Sequence, residues 1–164
     1  MSALRLFALA VCLLVHTAGL LHGESEPDII GRVVRIKDGD SFTVLDADKR
    51  EIAIRLEGIA APVKKQPYGD KAKGELSALI FDREVVVKFQ KLYFNKVIGH
   101  VTCGGLDVNL EMVRRGLAWR YDKYDKGKRY LDAQAEAKAA GRGLWAEKAP
   151  VSPWEWQTKK KPAK

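Results

Sequence analysis

Asp38-Gly39-Asp40-Ser41, followed one strand later by Ile54-Arg55-Leu56-Glu57-Gly58-Ile59-Ala60-Ala61-Pro62-Val63, decides how the rest of the chain is read. Asp-Gly between apolar alternating runs is a turn signal. The aspartates flanking that glycine can aim a carboxylate at a cation or at backbone N–H groups. Arg55 sits inside an alternating apolar run, where an unpaired charge is costly. It requires an anion, either a carboxylate of its own chain or a phosphate. The segment after it, Gly58 to Val63, supplies no carboxylate.

The patterns on either side of this stretch read as a β-meander. A strand running from Ile29 ends at Asp38, Ser41 to Leu45 forms a second, and Glu51 to Leu56 alternates as a third. Asp46-Ala47-Asp48-Lys49 is the loop between the last two. Pro62 to Tyr68 reads as a loop in which Lys64 and Lys65 are solvated. The spacing of Ala72, Leu76, Leu79 and Ile80 predicts a helix over 70–81, with Asp70 at its start and Glu75 on its solvated face. Glu84 to Phe89 is a fourth strand, Lys91 to Asn95 a polar-aromatic turn, and Val97 to Cys103 the returning fifth strand. A second helix spans Leu110 to Arg115, with Asn109 as its N-cap and Gly116 as its stop. A Tyr/Lys/Asp-rich loop follows over 119–127, then a third helix over 129–140 ended by Gly141 and Gly143. Three strands, a helix, two strands and two helices is the order of an α+β fold built on a five-stranded OB-type β-barrel with three helices.

With 164 residues, 46% apolar and 30% charged, the chain suffices for one domain with a core. Residues 1–23 read as a secretory signal: Arg5 gives a charged start, Leu6 to Val15 an unbroken apolar run too short for a membrane span, and small residues follow. The expected organisation is therefore signal 1–23, linker 24–28, domain 29–149, and a Trp/Pro segment with a basic tail over 150–164. Export to the periplasm or medium is expected, without stable membrane insertion once the signal is cleaved. Cleavage removes one basic residue and no acid, taking the net charge from +8 to +7 and favouring polyanions, nucleic acid first. It also removes Cys12. Cys103 is then left alone as a small buried hydrophobe, and the chain has too few Cys and His for a zinc site.

Four motifs together resemble the thermonuclease (staphylococcal nuclease-like) family. Asp38-Gly-Asp-Ser41 is similar to its Asp-Gly-Asp-Thr, and Arg55 to Val63 to its Arg-Leu-x-Gly-Ile-Asp-x-Pro-Glu. Asn109 to Trp119 resembles its Asn-x-x-Leu-Val-x-x-Gly-Leu-Ala helix, and Ala135 to Trp145 its last helix and Gly-Leu-Trp ending. The resemblance covers about Ile30 to Trp156. It implies a calcium-dependent nuclease plan, with two metal aspartates, a glutamate near the attacking water and two phosphate-clamping arginines. Asp40 and Arg55 match the first aspartate and first arginine. Ala60 falls at the second aspartate, Val63 at the glutamate and Lys96 at the second arginine.

Calcium takes six to eight oxygens, so a site retaining Asp40 alone is expected to bind it weakly at best. Lysine at position 96 keeps the charge but loses the bidentate fork. Hydrolysis is accordingly expected to be weak or lost. Phe94 and the loop residues Tyr121, Lys123 and Tyr124, aromatics interleaved with lysines, suit single-stranded nucleic acid. A monomer is expected, and no bound organic cofactor. Two other readings stand beside this one. One is an active calcium-dependent phosphodiesterase with a rearranged site that uses Glu57. The other is a protein-interaction module using the barrel groove or the Trp154–Trp156 segment.

Overall fold

The computed structural model describes residues 28–123 and 127–159. The expected signal, Tyr124 and the basic tail from residue 160 lie outside the described residues.

The meander forms as read: β1 (Ile29–Ile36), β2 (Ser41–Asp46) and β3 (Glu51–Leu56) pair antiparallel in sequence. After a two-residue strand β4 (Ile59–Ala60) and helix α1 (Gly69–Ile80) come the long strands β5 (Glu84–Tyr93) and β6 (Lys96–Cys103). β5 pairs with β6 and with β1, and β6 pairs parallel with β3 through Ile54–Val97, Arg55–Ile98 and Leu56–Gly99. The cycle β1-β2-β3-β6-β5-β1 closes a five-stranded barrel. Irregular register in β1 near Val33 and in β5 near Phe89 supplies the bends that closure needs.

The chain continues through β7 (Leu106–Asp107), α2 (Val108–Arg114), β8 (Trp119–Arg120), α3 (Lys128–Ala139), a 3-10 turn (Gly143–Ala146) and α4 (Pro153–Lys159). β8 pairs antiparallel with β4, Ala60 opposite Trp119. The three expected helices are present, and α4 adds a short fourth within the Trp/Pro segment.

The core lies inside the barrel and under α1 and α2. Val33, Val44, Ile54, Val87 and Val101 meet Ala72, Leu76 and Ile80 of α1 and Val108, Met112 and Val113 of α2, all buried in one cluster. Each of the larger side chains contributes about 2 kcal/mol of apolar burial before conformational entropy is counted. Cys103 is buried in the same cluster. Arg115 ties α1 to α2 by donating to Glu75 at 2.9 Å and to Glu111 at 2.8 Å, so Glu75 is not simply solvated.

Three local readings are corrected. The polar-aromatic turn expected over Lys91 to Asn95 is mostly strand: β5 runs to Tyr93, and Phe94 and Asn95 alone make the turn, both at positive φ. The second helix starts two residues earlier than its pattern suggested and is capped by Asp107, whose Oδ1 accepts from Leu110 N–H at 2.9 Å. Asn109 is wholly buried inside the helix. Its Oδ1 accepts from Val101 N–H at 2.9 Å, and its Nδ2 donates to the Glu57 carbonyl at 3.0 Å. It joins the end of β3 to β6. The loop read over 119–127 begins as β8.

Gly116 does end α2, at φ 67, and a Cβ there would lie 2.2 Å from the Arg142 carbonyl oxygen. Gly39 is required for a different reason. A Cβ there would lie 2.6 Å from that of Ala72 and 2.8 Å from that of Ala61, so the acidic turn is pressed against α1 and the Pro62 loop.

Candidate functional site

The Asp38–Ser41 turn is closed from within. Asp38 Oδ1 accepts from Asp40 N–H at 3.2 Å, and Lys37 N–H donates to the Ser41 carbonyl at 2.9 Å. Asp38 therefore orders the turn, as its position beside the glycine suggests. The turn carries Asp40 into the interior, where the residue is 4% exposed.

Both oxygens of Asp40 are engaged by the protein. Oδ1 accepts from Ser41 Oγ at 2.8 Å. Oδ2 accepts from Arg55 Nη2 at 3.0 Å and from Ala61 N–H at 3.1 Å. The anion that Arg55 requires is thus Asp40. The two residues face each other because Ser41 and Arg55 are directly opposed between β2 and β3. Burial pushes the Asp40 carboxyl up to about 6, with Arg55 and the Ser41 hydroxyl pulling it back and Asp38 adding to the rise.

Ala60 is buried at 2% exposure, paired with Trp119, and Val63 is half-buried with its N–H donating to Gln66 Oε1 at 3.1 Å. Neither position offers an oxygen side chain toward Asp40. Among the described residues, no group of three or more His, Cys, Asp or Glu side chains could hold a metal ion. Calcium takes six to eight oxygens, and both oxygens of Asp40 already accept hydrogen bonds from the protein. The carboxylate that the resemblance assigns to metal is instead spent on Arg55, Ser41 and the Ala61 amide.

Arg55 remains partly open, its side chain 37% exposed. Lys96, at the start of β6, lies close enough to feel it. Burial first, then the neighbouring Lys37 and Arg55, hold the Lys96 amine below its ordinary range, and Asp38 opposes them. Lys37, Arg55 and Lys96 therefore form one cationic edge. The hairpin beside it ends in Tyr93 and Phe94, 57% and 81% exposed, packed edge to face with centroids 4.6 Å apart.

A cavity of about 330 Å³ opens next to Arg55. It is lined by residues 55–60 of and after β3, by Lys91 and Tyr93 of β5, by Ile98 of β6, and by Tyr121, Pro153, Trp154 and Gln157. Tyr121 is placed by its N–H, which donates to the Gly58 carbonyl at 2.8 Å. Of the expected binding residues, the fold thus brings Arg55 and Tyr121 to one cavity, with Lys96 close enough to Arg55 to feel its charge and Phe94 at the hairpin tip. Lys123 is exposed in the loop that follows, and Tyr124 lies outside the described residues.

Sequence reasoning missed Lys91 and Tyr93, hidden in what read as a turn. It also missed Gln157 and the place of Trp154. The mixture of Lys and aromatic residues over 91–94 was the available signal for the first two. Nothing in the sequence brings residue 154 to residue 121.

A closed five-stranded barrel in OB order, with helices after its third and fifth strands and a cationic groove on one face, defines the class: an α+β protein of the OB-barrel type. Residues 53–147 match the family model described as staphylococcal nuclease homologue. An uncharacterized endonuclease of Escherichia coli is 40% identical over 135 residues, covering 81% of this chain and 88% of its own. One of Haemophilus influenzae is 39% identical over 131 residues, covering 79% of this chain and 74% of its own. A staphylococcal-like nuclease of Arabidopsis thaliana is 34% identical over 122 residues, which are 74% of this chain and 38% of that longer protein. The chain belongs to the staphylococcal nuclease-like family.

Proposed function

We propose that this nuclease-family protein binds single-stranded nucleic acid in the groove beside Arg55 and Lys96 and hydrolyses phosphodiester bonds weakly or not at all. The observation that carries this reading is the state of Asp40, whose oxygens are all taken by Arg55, Ser41 and the Ala61 amide. Ala60 and Val63 leave no second carboxylate at the positions where the family resemblance places acids. The cations Lys37, Arg55, Lys91 and Lys96 attract phosphate, and exposed Tyr93 and Phe94 offer faces to unpaired bases. The relatives named as endonucleases support nucleic acid as the ligand class. The protein acts outside the cytoplasm, as a monomer, after loss of residues 1–23.

The test is cleavage and binding of single-stranded DNA with calcium and with chelator, wild type beside Ala60→Asp/Val63→Glu. Salt-sensitive binding without chelator-sensitive cleavage by the wild type is expected, with calcium-dependent cleavage rising at least tenfold in the double variant. Robust chelator-sensitive cleavage by the wild type would overturn the reading. It would favour the rearranged-site alternative, for which Glu57 lies in the same cavity as Arg55. Loss of that cleavage in Glu57→Ala would then assign the carboxylate.

A further inference from the structure

Trp154 and Trp156 stand two residues apart on α4, so their side chains leave the helix on nearly opposite sides. Trp156 turns inward. It lines a small cavity of about 70 Å³ with Gln66, Tyr68, Trp119 and Leu144. Trp154 turns the other way, to the large cavity beside Arg55. There its indole lies flat against Tyr121, ring centroids 5.0 Å apart and planes 6° from parallel. It is still 37% exposed, so part of its surface is open.

The segment that carries Trp154 is anchored along its length. Buried Gln66 donates through Nε2 to the Val151 carbonyl at 2.7 Å. Ser152 and Glu155 close a capping box. Ser152 N–H donates to Glu155 Oε2 at 3.2 Å and Ser152 Oγ accepts from the Glu155 N–H at 3.4 Å. Pro153 sits at the first helical position, where a missing N–H costs nothing. Residues 151–157 lie beyond residue 147, where the match to the family model ends, and they give the cavity its wall at Trp154.

We propose that Trp154 is a specificity-determining residue: with Tyr121 it forms a two-ring platform that takes one unpaired base while Arg55 holds the adjoining phosphate. The platform selects single-stranded over duplex nucleic acid. This rests on the reading that the groove binds nucleic acid. The cavity volume is at the lower end of small-ligand sites, which suits a single nucleotide. A base within a duplex has both faces covered by its neighbours and cannot reach the platform unless it is flipped out. The rings carry no charge, so the platform adds affinity without adding to the salt dependence.

The experiment measures anisotropy of a labelled single-stranded oligonucleotide and of a blunt duplex with wild type, Trp154→Ala and Trp154→Phe, each over a range of salt. Trp154→Ala is expected to weaken single-strand binding roughly tenfold or more, the effect of one lost base stack. Duplex affinity and the salt slope stay as in the wild type, and Trp154→Phe recovers most of the loss. An unchanged single-strand affinity overturns the proposal, as does an equal loss on both ligands. Tighter binding by Trp154→Ala also overturns it, because the indole would then be occupying the place of a base on Tyr121. A wild type that binds neither ligand overturns the nucleic-acid reading as well. Salt-sensitive binding that ignores residue 154 overturns the platform alone.

Discussion

Asp40 is a carboxylate whose environment has been reassigned. Three donors, the Ser41 hydroxyl, the Arg55 guanidinium and the Ala61 amide, satisfy it and hold it inside the protein, while Asp38 opposes its ionisation. The pH dependence that follows has a definite sign. In the unfolded chain the carboxyl titrates near 4, and in the folded protein burial raises it to about 6. Between those values the folded state keeps a proton that the unfolded chain has released, so stability falls as pH rises through the window. Asp40→Asn removes the group. The variant should gain on the wild type by about 2 kcal/mol between pH 4 and pH 7 in urea unfolding. It also carries a constant loss from the weakened Arg55 contact. A difference that does not change with pH would show that Asp40 stays ionised throughout.

At the scale of elements, the meander and α1 were legible because their periods are clean. β3 alternates, and α1 repeats apolar residues on one face. Asn109 was misread because Asx residues are common at helix starts, and the true cap, Asp107, stands two residues ahead of it. The roles separate by experiment. Asn109→Ala leaves the Val101 amide and the Glu57 carbonyl without their partner in the interior and should cost about 3 kcal/mol of unfolding free energy. Asp107→Ala loses a cap and should cost about 1 kcal/mol. The reverse order would restore Asn109 as the cap. The far end of β5 was illegible for another reason. Both faces of Lys91 to Tyr93 are solvated, so no alternation marks them as strand. The site was half legible. Ala60, Val63 and Lys96 could be placed from neighbouring motifs, but the cavity wall at Trp154 comes from tertiary contact alone.

For the whole molecule, the excess of positive charge is unevenly spent. Arg32, Arg35, Arg50 and Arg115 are tied into ion pairs with Asp82, Glu51, Asp46 and Glu75. Arg55, though paired with Asp40, stays partly open and has Lys96 and Lys37 as cationic neighbours, and Lys91 lines the same cavity. Binding of single-stranded DNA should therefore depend on salt, with a slope of about −2 in log K against log salt for about three phosphate contacts. Lys96→Gln should reduce the steepness by about 0.7. A flat salt response would mean that the groove does not engage a polyanion.

The barrel is zipped by two pairings between distant segments, β1 with β5 and β3 with β6, the latter joining Ile54 to Val97. Pairings across such sequence separations form slowly compared with hairpins. Until the second is made, Arg55 and Lys96 belong to separate sheet edges, and the unpaired strands invite association with other chains. A partly folded molecule therefore has no groove to offer. Anything that engages Arg55 and Lys96 together reports a finished barrel, and by bridging β3 and β6 it slows their parting.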